Sequence, residues 1–427
     1  MSTVAFHTFG CKLNFSETSS ISRMFGEKGY KRTTLNNKPD NLIINTCSVT
    51  ENADKRCREL IRKIKRKSPN TKITVIGCYA QLKADKIIEI EGVDKVLGTK
   101  EKFSLENYIN NSKKVIHSNI KESRDFHSTY SIDDRTRSFL KIQDGCNYGC
   151  SFCTIPLARG RSRSSDLKDV IININSLIND GTKEIVLSGI NIGDYGIIDG
   201  QRKSSFYSLL KEIEKIKSDI RIRISSVEPN LLSNEIIKLV HNSNKFVNHF
   251  HIPLQSGNNR ILKKMSRRYD RELYIDRVKM IRSLMPNACI GGDVIVGFPG
   301  ETKNDFLDTY NFIKKLEINY LHVFPYSERS NTKANKISNI VPTNIRNERS
   351  KMLRSLSDKK KRMFYEKNLL SKRNVLFEKG DNKKYLFGYT DNYVKVKVKR
   401  DKSLIGKVKN TLLQKIDLDM NLIGIIS

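Results

Sequence analysis

Cys146, Cys150 and Cys153 stand in the stretch FLKIQDGCNYGCSFCTIPLARGRSRS, a C-x3-C-x2-C triplet of soft donors within eight residues. Thiolates at this spacing can hold three irons of a four-iron, four-sulfur (4Fe-4S) cluster, whereas full ligation by protein takes four Cys. The remaining iron is open to a small molecule, as a catalytic metal keeps a free position and a structural one does not. The competing reading is half of a zinc site. It requires a fourth ligand nearby, and no Cys or His follows until His241. The β-rich run Phe139–Ile142 gives way to Asp144-Gly145 just before the triplet, so a strand-to-loop transition is expected there.

Three further cysteines share one kind of position. Cys11 ends VAFHTFGC, Cys47 ends NLIINTC and Cys78 ends KITVIGC, each closing a short apolar run of strand character. Intervals of 36 and 31 residues, filled by helix-like segments, suit successive βα units of a parallel sheet. In such a sheet the carboxyl ends of all strands lie along one edge, where ligands collect. The three cysteines are therefore expected to converge on a second cluster, again with one iron lacking a protein ligand. The alternative is three small residues buried at strand ends. Cys57, in a charged helix, and Cys289, before an apolar strand, read as bystanders.

The elements that must position the triplet follow a βα rhythm. Strand-like runs fall at Phe139–Ile142, Glu184–Leu187, Ile220–Ile224, Phe250–Pro253, Ile290–Val296 and Tyr320–Phe324, with amphipathic helical segments such as DLKDVIININSLIND between them. Six such units predict a partial (β/α)6 barrel whose active-site residues lie at the carboxyl ends of its strands. SGINIGDY, SSVEP, PLQSG and GFPGET occupy those ends and are rich in Gly, Pro and small polar residues. Gly189, Asn191, Gln255, Gly297 and Pro299 are the candidates for lining a cofactor site; the alternative is that they only shape loops. Arg159, Arg161 and Arg163 are expected to meet phosphates or to pair with barrel carboxylates.

Composition bounds the partners. Against 46 Asp and Glu stand 78 Lys and Arg, a net charge of +32 that favours a polyanion such as nucleic acid. Lys55–Lys67 and Ile345–Phe364 each carry eight positive charges, although a charge run is often only a solvated helix face. From Ser371 onward the pattern turns to alternating strands, with 13 basic and 6 acidic residues. In YVKVKVKR the alternation puts Lys395, Lys397 and Lys399 on one strand face, as expected for a small β-barrel that grips an RNA backbone. No apolar run approaches 18 residues and the N-terminus lacks the features of a secretory signal. A cytoplasmic, reducing location with no membrane partner is expected. The predicted class is α/β: a parallel-sheet domain over 1–120, the partial barrel over 132–365 and an all-β barrel over 367–427.

TFGCKLN, NTCSVTENADKRCR, GCYAQ, DGCNYGCSFCTIPLARGRSRS, IPLQSGNNRILKKMSRRY, DVIVGFPGET and HVFPYSER follow one another in this chain. In that order they resemble the radical S-adenosylmethionine (SAM) methylthiotransferases along essentially the whole sequence. The resemblance implies an N-terminal methylthiotransferase domain, a radical SAM domain and a C-terminal TRAM domain that binds RNA. Phe9, Lys12-Leu13, Ser48 to Thr50 and PLARGRSRS lean toward the enzymes acting on N6-threonylcarbamoyladenosine. Isopentenyladenosine-type enzymes more typically read TYGCQMN and NTCAVRENA. Asn331-Thr332 departs from the family's Gly-Thr.

The resemblance further implies two 4Fe-4S clusters and SAM as cofactors. Cleavage of SAM at the cluster on Cys146, Cys150 and Cys153 would give a radical that removes hydrogen from C2 of the adenine at tRNA position 37. The cluster on Cys11, Cys47 and Cys78 would deliver sulfur, and a second SAM the methyl group. Partners would be the tRNA anticodon stem-loop, a low-potential electron donor of flavodoxin or ferredoxin type, and a sulfur source. C2 has neither an acidic proton nor a leaving group, so no His, Asp or Glu is expected as catalyst. Two alternatives remain: methylthiolation of N6-isopentenyladenosine-37, or of a ribosomal protein, against which the basic C-terminus speaks. A noncatalytic metal-binding RNA module would leave SGINIGDY and GFPGET without a role.

Overall fold

Continuous apolar strands buried on both faces are the mark of a parallel sheet covered by helices on each side, and the N-terminal third is built that way. The computed structural model describes residues 1–48, 51–109, 111–132 and 136–426; Val49 and Thr50 of NTCSVT lie outside the described residues. The strands are β1 (Thr3–Thr8), β2 (Lys31–Arg32), β3 (Asn41–Thr46), β4 (Lys72–Gly77), β5 (Lys95–Leu97) and β6 (Val115–Ile116), in the order β2-β1-β3-β4-β5-β6. All their pairings are parallel. Helix α1 (Lys12–Glu27) buries Ile21 and Phe25 on one face of the sheet, against Ile43 of β3. Helix α2 (Glu51–Lys67) buries Cys57, Ile61 and Ile64 on the other, against Leu42 and Ile44. The basic run of α2 is therefore the solvated side of an amphipathic helix, and Cys57 is a core residue.

Six parallel strands then follow in chain order: Ser138–Lys141, Glu184–Ser188, Arg221–Ile224, His249–His251, Cys289–Val296 and Tyr320–Pro325. Single bridges, Ile222 to Phe246 and Ser226 to His251, join the third strand to the fourth. The arc stays open. On its first edge the antiparallel strand Thr129–Tyr130 pairs with Ser138–Lys141, and α1 packs across both: Ser16 Oγ meets Thr129 Oγ1 at 3.0 Å, and Glu17 meets Lys141 at 3.3 Å. The expected partial (β/α)6 barrel is the observed one. Alternate residues, including Ile185, Leu187, Ile222 and Ile224, face the surrounding helices in one large apolar core. Their neighbours Glu184, Arg221 and Arg223 are buried outside that apolar set, as the two-residue period of a strand requires.

A 25-residue helix, Thr343–Lys367, leads to a closed five-stranded barrel of Lys372–Glu378, Tyr385–Thr390, Lys395–Lys399, Val408–Ile416 and Leu422–Ile426. This all-β unit is docked on the partial barrel. Arg137 Nε bonds Glu378 at 2.6 Å, and the Arg223 guanidinium lies 4.9 Å over the Tyr393 ring. Cys289 belongs to the apolar cluster that also holds Val375, Val396 and Leu413 of the small barrel. Like Cys57, it is a core residue.

Glu184 anchors this junction, 2.7 Å from Arg223 Nε and 2.9 Å from Arg221 Nη2. Burial alone would raise its carboxyl, yet Arg223 and Arg221, with Arg137 farther away, hold it down to about 2. A depressed carboxyl contributes stability that is present above its unfolded value, near 4.5, and lost as pH falls through 2. The full effect is about 3 kcal/mol. Glu184→Gln is expected to be less stable at neutral pH, and the gap to wild type should close as pH falls through that window. Urea unfolding at a series of pH values checks it.

Candidate functional site

The triplet loop leaves the first barrel strand through Gln143-Asp144 and turns at Gly145, whose φ is +67°. A Cβ there would stand 2.0 Å from the Arg161 carbonyl, so only glycine fits. Backbone N–H groups are aimed at two of the sulfurs: Tyr148 N at Cys146 Sγ (3.3 Å) and Ile155 N at Cys153 Sγ (3.4 Å). Arg267 Nη1 donates to the third, Cys150 Sγ, at 3.2 Å, while also pairing with Glu228. Each sulfur thus faces a hydrogen-bond donor. Burial still pushes Cys146 up to about 11 and Cys153 up to about 12. A bound metal would deprotonate them outright, and the donor set fits an iron–sulfur cluster.

The second trio sits where the topology requires. Cys11 caps α1 after β1, Cys47 follows β3 and Cys78 opens a short helix directly after β4. These are the carboxyl ends of three adjacent parallel strands. Gly10 (φ +105°) lets the first two approach, because a Cβ on it would come 2.6 Å from Cys47 Cβ. Asn14 ties the rim together: its Nδ2 donates to the Phe9 and Thr46 carbonyls at 2.8 and 3.0 Å.

A buried arginine joins the two loops. Arg159 has no exposed surface. Its Nε donates to Cys78 Sγ at 3.3 Å, its Nη1 to Glu17 (2.9 Å) and Asp144 (3.0 Å), and its Nη2 to Asn14 Oδ1 at 2.6 Å. Asp144 lies two residues before Cys146. Lys102 and Lys141 also meet Glu17, at 2.6 and 3.3 Å, and Arg163 meets Asp144 at 3.2 Å. Four buried cations thus surround two carboxylates. An uncompensated buried positive charge is costly, and the anion able to balance it here is a set of cysteine thiolates with their metal. Of the three arginines considered from sequence, Arg159 and Arg163 pair with carboxylates and Arg161 stays exposed.

A cavity of about 250 Å³ opens beside the triplet, lined by Cys153, Gln255, Asp293, Phe324 and Tyr326 among others. Gln255 holds φ at +63°, an uncommon conformation for a side chain larger than Asn. Asn191 is buried, and neither its amide oxygen nor its nitrogen has a hydrogen-bond partner. Buried orphans of this kind call for a ligand, and the amide suits a polar cofactor such as SAM. Gly189 packs against Gln143, whose Oε1 accepts from Asn191 N at 2.9 Å. Gly297 (φ +72°) has no room for a Cβ, which would meet Arg346 Cγ at 2.4 Å; its N–H bonds Glu301 at 2.7 Å, and Pro299 is buried in the same turn. These last three hold the loops rather than line the cavity. Asn331 takes a left-handed conformation, with φ +64°, which Asn tolerates.

Within the arc, Asp293 lies between two imidazoles: His251 Nε2 is 3.3 Å and His322 Nδ1 3.1 Å from its carboxylate, while Ser226 Oγ sits 2.7 Å from His251 Nδ1. His249, Tyr320, Glu184, Arg221 and Arg223 extend the same polar lining. Sequence reading missed this lumen; the signal was available in RIRI and FHIP, where charged or imidazole side chains alternate with apolar ones. On the small barrel, Val396 and Val398 face inward as the alternation predicts. Lys399 is exposed, Lys395 lies 4.7 Å over the Phe387 ring, and Lys397 is drawn into an ion pair with Asp417. The row of three is thus two available charges and one engaged.

The chain matches the Radical SAM superfamily over residues 140–313 and the Uncharacterized protein family UPF0004 over residues 3–98. It is 41% identical over 433 residues to the threonylcarbamoyladenosine tRNA methylthiotransferase MtaB of Bacillus subtilis, covering 99% of this chain and 96% of the relative. The corresponding protein of Aquifex aeolicus is 38% identical, with coverage of 96% and 100%. A tRNA-2-methylthio-N(6)-dimethylallyladenosine synthase of Clostridium tetani is 34% identical, with coverage of 97% and 94%. Among solved structures, the radical S-adenosylmethionine methyltransferase TsrM of Kitasatospora setae superposes with a TM-score of 0.56 over 78% of this chain and 77% of that one. At 14% identity that likeness is one of fold. No described helix is long and apolar enough to cross a membrane. Identity at this level along nearly the whole length shows that the chain belongs to the radical SAM methylthiotransferase family, as an enzyme of that type.

Proposed function

We propose that the protein inserts sulfur and a methyl group at C2 of N6-threonylcarbamoyladenosine at tRNA position 37, with SAM and two 4Fe-4S clusters. The observation that carries the choice of substrate is the polarity of the barrel lumen. A threonylcarbamoyl group brings a carboxylate, a hydroxyl and amides, which the imidazoles, guanidiniums and Asp293 of the lumen can meet. An isopentenyl group would leave the orphan atoms of that lining, Arg223 Nη1 and His249 Nδ1, desolvated and unpaired, at a cost of about 1–3 kcal/mol each. The relatives named for threonylcarbamoyladenosine are also more similar to this chain than the dimethylallyl-type one, at 41% and 38% against 34%.

When bound, the cluster on Cys146, Cys150 and Cys153 supplies the electron that cleaves SAM. The protein's own part is to orient. Asn191 and Gln255 are the side chains for the cofactor, the glycine turns hold their loops, and Arg159 keeps the second trio against the first. Reacting atoms held close and aligned supply much of the acceleration in such a site. Residue 37 lies in the anticodon loop, where a base can leave the stack without opening a helix. A low-potential donor of flavodoxin or ferredoxin type and a sulfur source complete the turnover, in the cytoplasm.

Mass spectrometry of nucleosides from a strain lacking the gene, with and without complementation, tests this reading. Loss and recovery of 2-methylthio-N6-threonylcarbamoyladenosine is expected; loss of the isopentenyl derivative instead would overturn the substrate. For the RNA face, Lys395→Gln and Lys399→Gln should each reduce the salt dependence of tRNA binding by about one phosphate contact. Lys397→Gln should change it less, since Asp417 already holds that ammonium. Binding titrations across salt concentrations distinguish the three.

A further inference from the structure

We infer that His251, Asp293 and His322 form a binding site for one divalent first-row metal ion of the Zn²⁺ class, inside the lumen and with no sulfur ligand. The site does not depend on which N6 substituent the enzyme acts on.

Its geometry begins in the sheet. The three residues stand on the adjacent parallel strands His249–His251, Cys289–Val296 and Tyr320–Pro325. Asp293 lies directly across from His322, and His251 across from Gly291, two residues before Asp293. Side chains two apart on a strand share a face, so all three belong to the lumen side. His251 Nε2 and His322 Nδ1 approach the same carboxylate oxygen, Asp293 Oδ1, at 3.3 and 3.1 Å. Two ligands held about 2.0–2.1 Å from a tetrahedral ion stand roughly 3.3 Å apart. All three donor atoms lie within 4.8 Å of one another. The His322 side chain is 55% exposed and has room to turn, so it can close the remaining edge.

Hydrogen bonding alone does not account for the cluster. His251 is 9% exposed, yet its Nε2 has no hydrogen-bond partner among the described residues. Its other nitrogen has one, with Ser226 Oγ 2.7 Å from Nδ1. When Nδ1 donates its hydrogen to that hydroxyl, Nε2 keeps a lone pair, the form in which imidazole ligates a metal. A partner on the far nitrogen is what holds a ligating imidazole in that tautomer and orientation. A lone pair facing a carboxylate oxygen is repelled unless a cation stands between them. With the hydrogen on Nε2 instead, a buried N–H would go unsatisfied, which folded proteins avoid. One cation answers both difficulties, because it takes Nε2, Oδ1 and Nδ1 together.

The donor set narrows the ion. Imidazole nitrogens suit Zn²⁺ and its neighbours, whereas Mg²⁺ and Ca²⁺ take oxygen ligands. Three protein ligands leave a position open, as in metal sites that bind a substrate or water. Asp293 also lines the cavity of about 250 Å³ beside the triplet, together with Gln255 and Cys153. The open position therefore adjoins that space, where an oxygen of a bound molecule can fill it.

The test uses full-length protein whose cysteines are first loaded with iron, then incubated with zinc and desalted. Elemental analysis is expected to find about one zinc per chain beyond the iron, and X-ray absorption at the zinc edge only nitrogen and oxygen ligands near 2.0–2.1 Å. Competition with a chelator gives the affinity. Ser226→Ala should weaken it roughly 10- to 100-fold, and loss of a ligand in Asp293→Asn or His322→Gln by more than that. His322→Gln alters a half-exposed side chain, so its iron content and thermal unfolding should stay those of the wild type. Failure of the wild type to retain zinc overturns the inference. So does a sulfur shell near 2.3 Å, which would place the zinc on cysteines. Neither comparison needs a variant to fold. Unchanged zinc affinity in His322→Gln overturns it as well.

Discussion

Cys150→Ala is expected to abolish reductive formation of 5′-deoxyadenosine and of methylthiolated nucleoside together, whereas Cys47→Ala should spare the first and remove the second. The asymmetry follows from where the two cysteines sit. Cys150 belongs to the loop beside the cavity that Gln255 lines, and Arg267 donates to its sulfur at 3.2 Å. With two thiolates left in that loop the cluster has too few ligands to persist, and SAM loses the iron it needs. Cys47 follows β3 in the other domain, at the carboxyl edge of the N-terminal sheet. Its loss should cost iron only at the second trio. Liquid chromatography with mass spectrometry measures 5′-deoxyadenosine and nucleoside product in one reaction, and iron content counts the clusters. The expected fall in product is to background for both variants. Normal methylthiolation by Cys47→Ala would mean that the second trio is not needed for sulfur insertion, and the two-cluster mechanism would be wrong.

Arg159→Met is expected to lower the stability of iron-loaded protein by about 3 kcal/mol or more, and that of iron-free protein by clearly less. The difference has a sign because of the charge count around Arg159. Lys102, Lys141, Arg159 and Arg163 surround Glu17 and Asp144, so the iron-free site already carries a surplus of buried cations. Removing one relieves repulsion there and offsets part of the lost hydrogen bonding. Glu17 keeps Lys102 and Lys141, and Asp144 keeps Arg163. In the loaded protein the surplus is balanced by thiolates and metal, and nothing offsets the loss. The variant should also lose iron from the second trio more readily, since Cys78 no longer has its donor at 3.3 Å. Thermal unfolding of both forms, with iron analysis before and after chelation, checks this. Equal destabilisation of the two forms would reduce Arg159 to a structural tie between domains.

The grouping of six cysteines into two trios, the parallel sheet and the open barrel were legible because each is written in local pattern. Three of the cysteines lie within eight residues, and the other three close apolar runs whose length and spacing identify βα units. Strand periodicity told which side chains share a face, and Val396 and Val398 do point inward between outward lysines. Periodicity says nothing about what lies opposite a face. Lys397 therefore read like Lys395 and Lys399, although Asp417, 20 residues on, holds it. The basic run of α2 read as a candidate contact for nucleic acid, while its buried stripe of Cys57, Ile61 and Ile64 makes it first a packing helix.

What the sequence by itself determined is the chemistry: which sulfurs can hold iron, on which strand ends they stand, and that a basic chain with this order of motifs is a radical SAM methylthiotransferase. What only the tertiary structure decided is how the two cysteine trios are joined and what space lies between them. Arg159 reaches Asn14, Glu17, Cys78 and Asp144 at once, across intervals of up to 145 residues. His251, Asp293 and His322 come from three separate strands to one polar cluster. A guanidinium or an ammonium carries the same charge wherever it stands. Packing alone sets its partners and its distance from water, and with them whether it is a solvated surface charge or a buried clamp.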